Sequence, residues 1–115
     1  MGLHNVSTFC LLLLSIQNVF GEVWNFGKPS LGSVKLLHHK GHVGLFTRTK
    51  NIKLEIPKCY MVSHVTVDVV NIISTPEVFY NSNTNVVTIH YGTFQNSLSS
   101  YDIVAEGLWK MGCTN

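Results

Sequence analysis

The strongest constraint on this chain is the alternation of side chains along three separate segments, which is strict in residues 51–56. Residues 51–56 (NIKLEI), 64–70 (HVTVDVV) and 85–91 (NVVTIHY) each carry an apolar side chain at every second position. A period of two is that of a β-strand, whose successive side chains point to opposite faces, and β-branched residues favour strands. Each segment is therefore predicted to be a strand with one face in the core.

Four further segments are weaker strand candidates, and turn-forming residues such as Pro57, Pro76 and the dipeptide Lys40-Gly41 lie between the candidates. No stretch after residue 21 carries a helical period of 3.6 over ten residues. Six or seven short strands separated by turns predict an all-β fold, a small antiparallel β-sandwich or barrel. The four weaker candidates are residues 34–39, 43–49, 77–80 and 101–107.

The N-terminal segment predicts export from the cell. Residues 9–16 (FCLLLLSI) form an apolar run, which is too short for a membrane span of about 20 residues. Val19 and Gly21 suit the −3 and −1 positions of a cleavage site before Glu22. We therefore predict a signal peptide over 1–21, one domain over 22–115, and a secreted, extracellular product without a membrane span. A buried N-terminal strand or helix is the alternative.

Two cysteines remain once the predicted signal peptide, which contains Cys10, is removed. The remaining cysteines, Cys59 and Cys113, are even in number, and an oxidising compartment favours a disulfide bond between them. Two free thiols are the alternative. The chain has no Cys-x-x-Cys pair and no Cys/His set with zinc spacing.

Three histidines are concentrated in residues 37–42 (LHHKGH), at His38, His39 and His42. On a strand His38 and His39 would point to opposite faces, and His42 would follow a tight turn at Lys40-Gly41. The three are weak candidates for a metal site, because a third ligand is missing nearby. A pH-sensitive cluster is a second possibility. We favour a plain polar hairpin, and we predict no cofactor and no metal.

The charge is small and unevenly distributed along the chain. The net charge of +2 separates into +5 over residues 22–58 and −3 over residues 59–115. The early strands therefore carry a basic surface, which is either a solvated sheet face or attractive to an acidic partner. Direct nucleic-acid binding is not predicted, because aromatic residues are not interleaved with the basic ones. The candidate partner-binding residues are Lys35, Lys40, Arg48, Lys50 and Lys53.

Signatures of catalysis are missing from the sequence. No serine lies in a Gly-x-Ser-x-Gly elbow, and no glycine-rich loop precedes a helix. Asp68 and Asp102 are interpreted as lone carboxylates on the outward faces of strands. We predict that the protein is not an enzyme.

The order of four segments resembles a known family. Residues 26–43 (FGKPSLGSVKLLHHKGHV), 47–57 (TRTKNIKLEIP), 62–70 (VSHVTVDVV) and 85–107 (NVVTIHYGTFQNSLSSYDIVAEG) are similar to successive blocks of the multiprotein bridging factor two-type family of small secreted arthropod proteins. The resemblance covers about residues 24–107. Ser33 stands where the family usually has an acid.

The resemblance implies no catalytic residues. The family carries the name "transcription activator", which implies co-activation through contacts between a DNA-bound factor and the general transcription machinery. Many relatives are described as salivary or haemolymph secreted peptides.

We therefore expect a secreted, non-enzymatic binding or effector protein of the salivary, venom or haemolymph type, acting on a protein partner through surface contacts. One alternative is the co-activator role. The other is a carrier of a small apolar ligand inside the sandwich.

Overall fold

The structure, a computed structural model, describes residues 21–114. The predicted signal peptide lies outside the described residues except for Gly21. Residues 21–114 form seven strands and no helix. The strands are β1 (Gly21–Gly27), β2 (Val34–Val43), β3 (Thr49–Lys53), β4 (Tyr60–Val70), β5 (Glu77–Asn81), β6 (Val86–His90) and β7 (Ser99–Trp109).

The strands form two antiparallel sheets. One has four strands in the order β1-β4-β7-β2, and the other has three in the order β3-β6-β5. A single cluster of buried residues draws on both sheets, from Val67 and Ile103 in the first to Val87 and Ile89 in the second. Two sheets that share one apolar core form a β-sandwich. The predicted all-β fold is thus confirmed, as a sandwich of seven strands.

The inward faces follow the alternation seen in the sequence. In β4 the valines at 65, 67 and 69 are 0–2% exposed, whereas the polar residues between them are half-buried. In β6 Val87 and Ile89 are 0% exposed. The period-two pattern therefore assigned the correct face of both strands to the core.

The structure differs from the strand predictions in two places. The first strand, β1, was not predicted, although Trp24 and Phe26 pack against the core from it. Residues 43–49 were predicted to be a strand, but Val43 ends β2 and Thr49 begins β3. The chain leaves one sheet there and enters the other, so the apolar residues between are not paired in either sheet.

The predicted turn at Lys40-Gly41 was also wrong, because β2 continues through it to Val43. Gly41 lies opposite Tyr101 in the register of β2 and β7. A Cβ atom at Gly41 would be 2.3 Å from the Tyr101 hydroxyl oxygen, so the tyrosine side chain occupies the space that a side chain here would need. Glycine therefore serves close packing at this position rather than a turn.

Three loops meet at one end of the sandwich. β2 and β4 both run antiparallel to β7, so both end where β7 begins, with Val43 opposite Ser99 and Val70 opposite Ser100. Hydrogen bonds join the loops that follow β2, β4 and β6. We call these loops, residues 44–48, 71–76 and 91–98, the loop end.

The C-terminal tail is attached at the opposite end. A disulfide joins Cys59 to Cys113, which are 54 positions apart in the sequence and whose Cα atoms are 5.5 Å apart. The backbone N–H of Lys110 donates a hydrogen bond of 2.7 Å to the Cys59 carbonyl oxygen. The predicted disulfide is confirmed, and it ties the tail to the connection between β3 and β4. None of the residues the structure describes belongs to a helix that could span a membrane.

Candidate functional site

The loop end exposes an unusual number of large apolar side chains. Phe46 and Phe94 are 92% and 101% exposed, which means that these rings contact almost nothing else in the protein. Exposed apolar groups that are concentrated in one region mark binding surfaces more often than scattered ones do. The exposed apolar residues of the loop end are Leu45, Phe46, Ile72, Ile73, Phe94 and Leu98.

A buried serine links two of the three loops. The Ser97 hydroxyl donates a hydrogen bond of 2.7 Å to the Gly44 carbonyl oxygen. The same hydroxyl accepts one of 3.0 Å from the backbone N–H of Thr47. The β2–β3 loop is thereby held against the β6–β7 loop, and the polar groups of both point toward each other instead of toward solvent.

The β4–β5 loop is joined to the β6–β7 loop by side-chain amides. The Asn71 side-chain amide donates to the Asn96 carbonyl oxygen at 2.7 Å, and the Asn96 backbone N–H donates to the Ser74 hydroxyl at 2.9 Å. The Gln95 amide donates to the Thr75 carbonyl oxygen at 2.9 Å. These contacts place the apolar side chains of the two loops on a fixed framework.

Phe46 has a backbone conformation that bulky residues rarely adopt. Its φ angle is +68°, in the left-handed region. A bulky residue at positive φ is an outlier, since its Cβ crowds the following carbonyl group. Phe46 therefore combines an unfavourable backbone conformation with a ring that is exposed to solvent.

The charge of the loop end is minimal. Arg48 is the one charged residue in residues 44–48, 71–76 and 91–98, and no carboxylate occurs among them. The other polar groups are hydroxyls and amides. Such a surface offers apolar area and one cation.

A second candidate is a cleft on the outer face of the four-stranded sheet. Asp68 and Asp102, which the sequence suggested were isolated, lie directly opposite each other on β4 and β7. Asp102 contacts the His38 imidazole, and its other oxygen is 3.8 Å from the Lys40 ammonium. The cleft encloses about 370 Å³ and is lined by Lys40, Gly41, His42, Asp68, Val70, Ser100, Tyr101 and Asp102.

The three histidines of residues 37–42 do not converge. His38 and His42 lie on the outer face of β2, opposite Val104 and Ser100, whereas His39 lies on the other face. The His39 ring packs against Tyr101, with centroids 5.8 Å apart, and burial raises the pKa of the Tyr101 hydroxyl. Within residues 21–114 no three His, Cys, Asp or Glu side chains are grouped to hold a metal ion.

The five basic candidates for partner binding belong to different surfaces. Lys35 and Lys40 lie on the outer face of the four-stranded sheet, opposite Glu106 and Asp102. Lys53 lies on the outer face of the three-stranded sheet, where its ammonium donates a hydrogen bond of 2.6 Å to the Thr84 carbonyl oxygen. Lys50, on β3, is half-buried, and Arg48 belongs to the loop end. Of the five, Arg48 alone lies within the apolar surface.

Comparisons of the chain with protein-family models, with curated proteins and with solved structures gave no match. The geometry of the described residues therefore carries the functional argument.

Sequence reasoning missed the apolar residues of the loop end. Leu45 and Phe46 were assigned to a predicted strand, which explained their apolar character without a surface role. A signal was present nevertheless, since the three loops contain apolar side chains among turn-forming Gly, Asn, Ser and Pro residues. Turn segments are usually polar, so apolar residues within them deserve a separate explanation.

Proposed function

We propose that this chain is a secreted, non-enzymatic binding protein that contacts its partner through the loop end. One observation carries the proposal. Six large apolar side chains are exposed at one end of the sandwich, on three loops joined by hydrogen bonds. A fixed apolar surface loses little conformational entropy when it binds, because its backbone is already ordered.

The extracellular setting is supported by the disulfide. Cys59 and Cys113 are joined, and such bonds persist in oxidising compartments. The predicted signal peptide points the same way. A co-activator would work in the reducing nucleus, where this bond would tend to be lost, so we prefer the extracellular role to the co-activator alternative.

Surface binding is also better supported than carriage of an apolar ligand between the sheets. Val65, Val67 and Ile103 of one sheet and Val87 and Ile89 of the other are all 0% exposed. A ligand at these positions would have to displace packed side chains, with the loss of their contacts. Apolar area that is accessible without such a change lies on the outside, and the six side chains of the loop end are part of it.

Binding to cells tests the role of the loop end. The mature protein with a C-terminal tag is incubated with cultured insect cells, beside the double variant Phe46→Asn/Phe94→Ser. Burial of one phenylalanine is worth about 1.5–3 kcal/mol, so the double variant should bind at least about 100-fold more weakly. The matched control is Phe79→Ser, which removes a half-exposed ring from the outer face of β5. Equal binding by the wild type and the double variant would refute the proposal.

Export is tested by intact mass. The protein is expressed in insect cells from its native start codon, and the medium and the nuclear fraction are analysed separately. We expect a species in the medium that begins at Glu22 and is lighter by two hydrogens than the reduced chain. An uncleaved chain with free thiols in the nuclear fraction would favour the co-activator role instead.

A further inference from the structure

We propose that the partner of the loop end is the surface of a phospholipid bilayer, into which the rings of Phe46 and Phe94 insert. The inference rests on the proposed function, because it assigns a partner to the same surface. Four properties of the loop end support a bilayer over a protein partner: the projection of its tips, the pairing of its polar groups, its charge and its position.

The first property is the projection of the two rings. Phe46 and Phe94 are 92% and 101% exposed, so both rings are almost entirely accessible to solvent. A protein partner would have to offer a matching pocket to each ring. A bilayer interface adapts to any projecting apolar group, and interfacial binding grows with the apolar area that is buried.

The second property is the pairing of polar groups within the loops. Ser97 bonds to the backbone of Gly44 and Thr47, and the Asn71 amide bonds to the Asn96 carbonyl oxygen. Transfer of an unpaired polar group into an apolar medium costs several kcal/mol. Because these groups are already paired with one another, they do not add to that cost when the loop tips enter the boundary between headgroups and acyl chains.

The third property is the charge. Arg48 is the single charged residue of the three loops, and it follows Phe46 by two positions. A guanidinium group binds phosphate well through its several N–H donors. Two carboxylates flank the loop end without belonging to its tips: Glu22 of β1 accepts a hydrogen bond of 3.5 Å from the Thr75 hydroxyl, and Glu77 begins β5. The cation next to the Phe46 tip is therefore the charged group that insertion brings toward the lipid phosphates.

The fourth property is the position of the surface. Six exposed apolar side chains belong to loops at one end of the sandwich, and the disulfide-bonded tail lies at the other end. A molecule with this arrangement can bind a bilayer through its loop end while its strands remain outside the bilayer. It would lie on the bilayer surface and would not cross it.

Flotation with protein-free vesicles tests the inference. The mature protein is mixed with vesicles of phosphatidylcholine, and separately with vesicles of phosphatidylcholine and phosphatidylserine. We expect the wild type to float with both, and more strongly with the second because of Arg48. Phe46→Asn and Phe94→Ser should each weaken the partition by about tenfold, which corresponds to about 1.4 kcal/mol.

The variants also separate binding from folding. Asparagine tolerates positive φ better than phenylalanine does, so Phe46→Asn should keep or raise the thermal midpoint while it weakens flotation. Phe79→Ser is the control on β5, and Leu31→Ser is the control at the opposite end of the molecule, where Leu31 is fully exposed. Both controls should float like the wild type.

The outcomes distinguish the inference from the proposed function. One outcome is that the wild type binds no vesicles but binds cells, and that the double variant Phe46→Asn/Phe94→Ser no longer binds cells. In that case the partner is a protein and the bilayer inference is wrong. If the wild type binds neither vesicles nor cells, both proposals fail. If the loop variants float as well as the wild type, or if Phe79→Ser weakens flotation equally, insertion of the loop end is refuted.

Discussion

The Ser97 hydroxyl donates a hydrogen bond to the Gly44 carbonyl oxygen over 2.7 Å, and this contact joins two loops that are 53 positions apart in the sequence. Ser97 is only 2% exposed, although its neighbour Leu98 is 60% exposed. A buried hydroxyl thus lies beside an exposed leucine side chain in the same loop. The hydrogen bonds of Ser97 hold the loops together while large apolar side chains of these loops remain on the outside, where they form the proposed binding surface.

Ser97→Ala should lower the free energy of unfolding by about 1–2 kcal/mol, because the Gly44 carbonyl loses a donor in a part-buried site. The measurement is urea unfolding followed by circular dichroism. Ser82→Ala, in the exposed turn between β5 and β6, is the control and should change little. An unchanged midpoint for Ser97→Ala would show that the contact does not hold the loops.

Gly41→Ala should lower the free energy of unfolding by about 1–3 kcal/mol, the usual cost of overpacking. The new methyl group would meet the Tyr101 hydroxyl oxygen at 2.3 Å. Gly44→Ala is the control, since a Cβ there comes no closer than 3.4 Å to any atom. Tyr101→Leu in the Gly41→Ala background should cost less than the sum of the two single changes. Strict additivity would contradict the steric explanation.

Removal of the disulfide should lower the free energy of unfolding by about 4 kcal/mol, the chain-entropy value for a loop of this length. The variant is Cys59→Ser/Cys113→Ser, and the measurement is thermal unfolding with and without dithiothreitol. The native protein should lose stability in the reductant. The double variant should show no further change. If the native protein is insensitive to a reductant that reduces the bond, the disulfide contributes no stability.

We expect substitutions of Asp68 and Asp102 to change the free energy of unfolding in opposite directions. Like charges directly opposite each other destabilise a sheet, so Asp68→Asn should raise the free energy of unfolding by roughly 0.2–1 kcal/mol. Asp102→Asn should lower it, because Asp102 also contacts His38 and Lys40. Urea unfolding at pH 7 measures both, and the differences should shrink in 1 M salt. Stabilisation by both variants would mean that the contacts of Asp102 contribute nothing.

Sequence patterns were informative where the cause of structure is local. The alternation in residues 64–70 and 85–91 identified β4 and β6 and their buried faces, because a strand reverses its side-chain direction at every residue. The dipeptide Lys40-Gly41 was nevertheless predicted to be a turn, because glycine is common in turns and its tertiary contacts are not visible in the sequence. The Tyr101 ring that explains this glycine is 60 positions away.

The candidate site was much less accessible from the sequence. Arg48 was identified as a possible contact residue, but the reason was its positive charge on a predicted basic surface and not its position beside apolar side chains. Phe46 and Phe94 gave no sign of belonging together. They do so because β2 and β6 lie in different sheets and end at the same end of the sandwich, a relation set by topology and not by spacing.

The sequence by itself determined the fold class, the inward faces of the regular strands and the pairing of Cys59 with Cys113 as the expected disulfide. Those features follow from backbone periodicity and residue chemistry, which act over a few positions or through reactivity. The tertiary structure alone decided which loops meet, that Asp68 faces Asp102, and that Ser97 is buried between two of the loops. These relations depend on strand register and sheet order, and hence on contacts between residues distant in the chain.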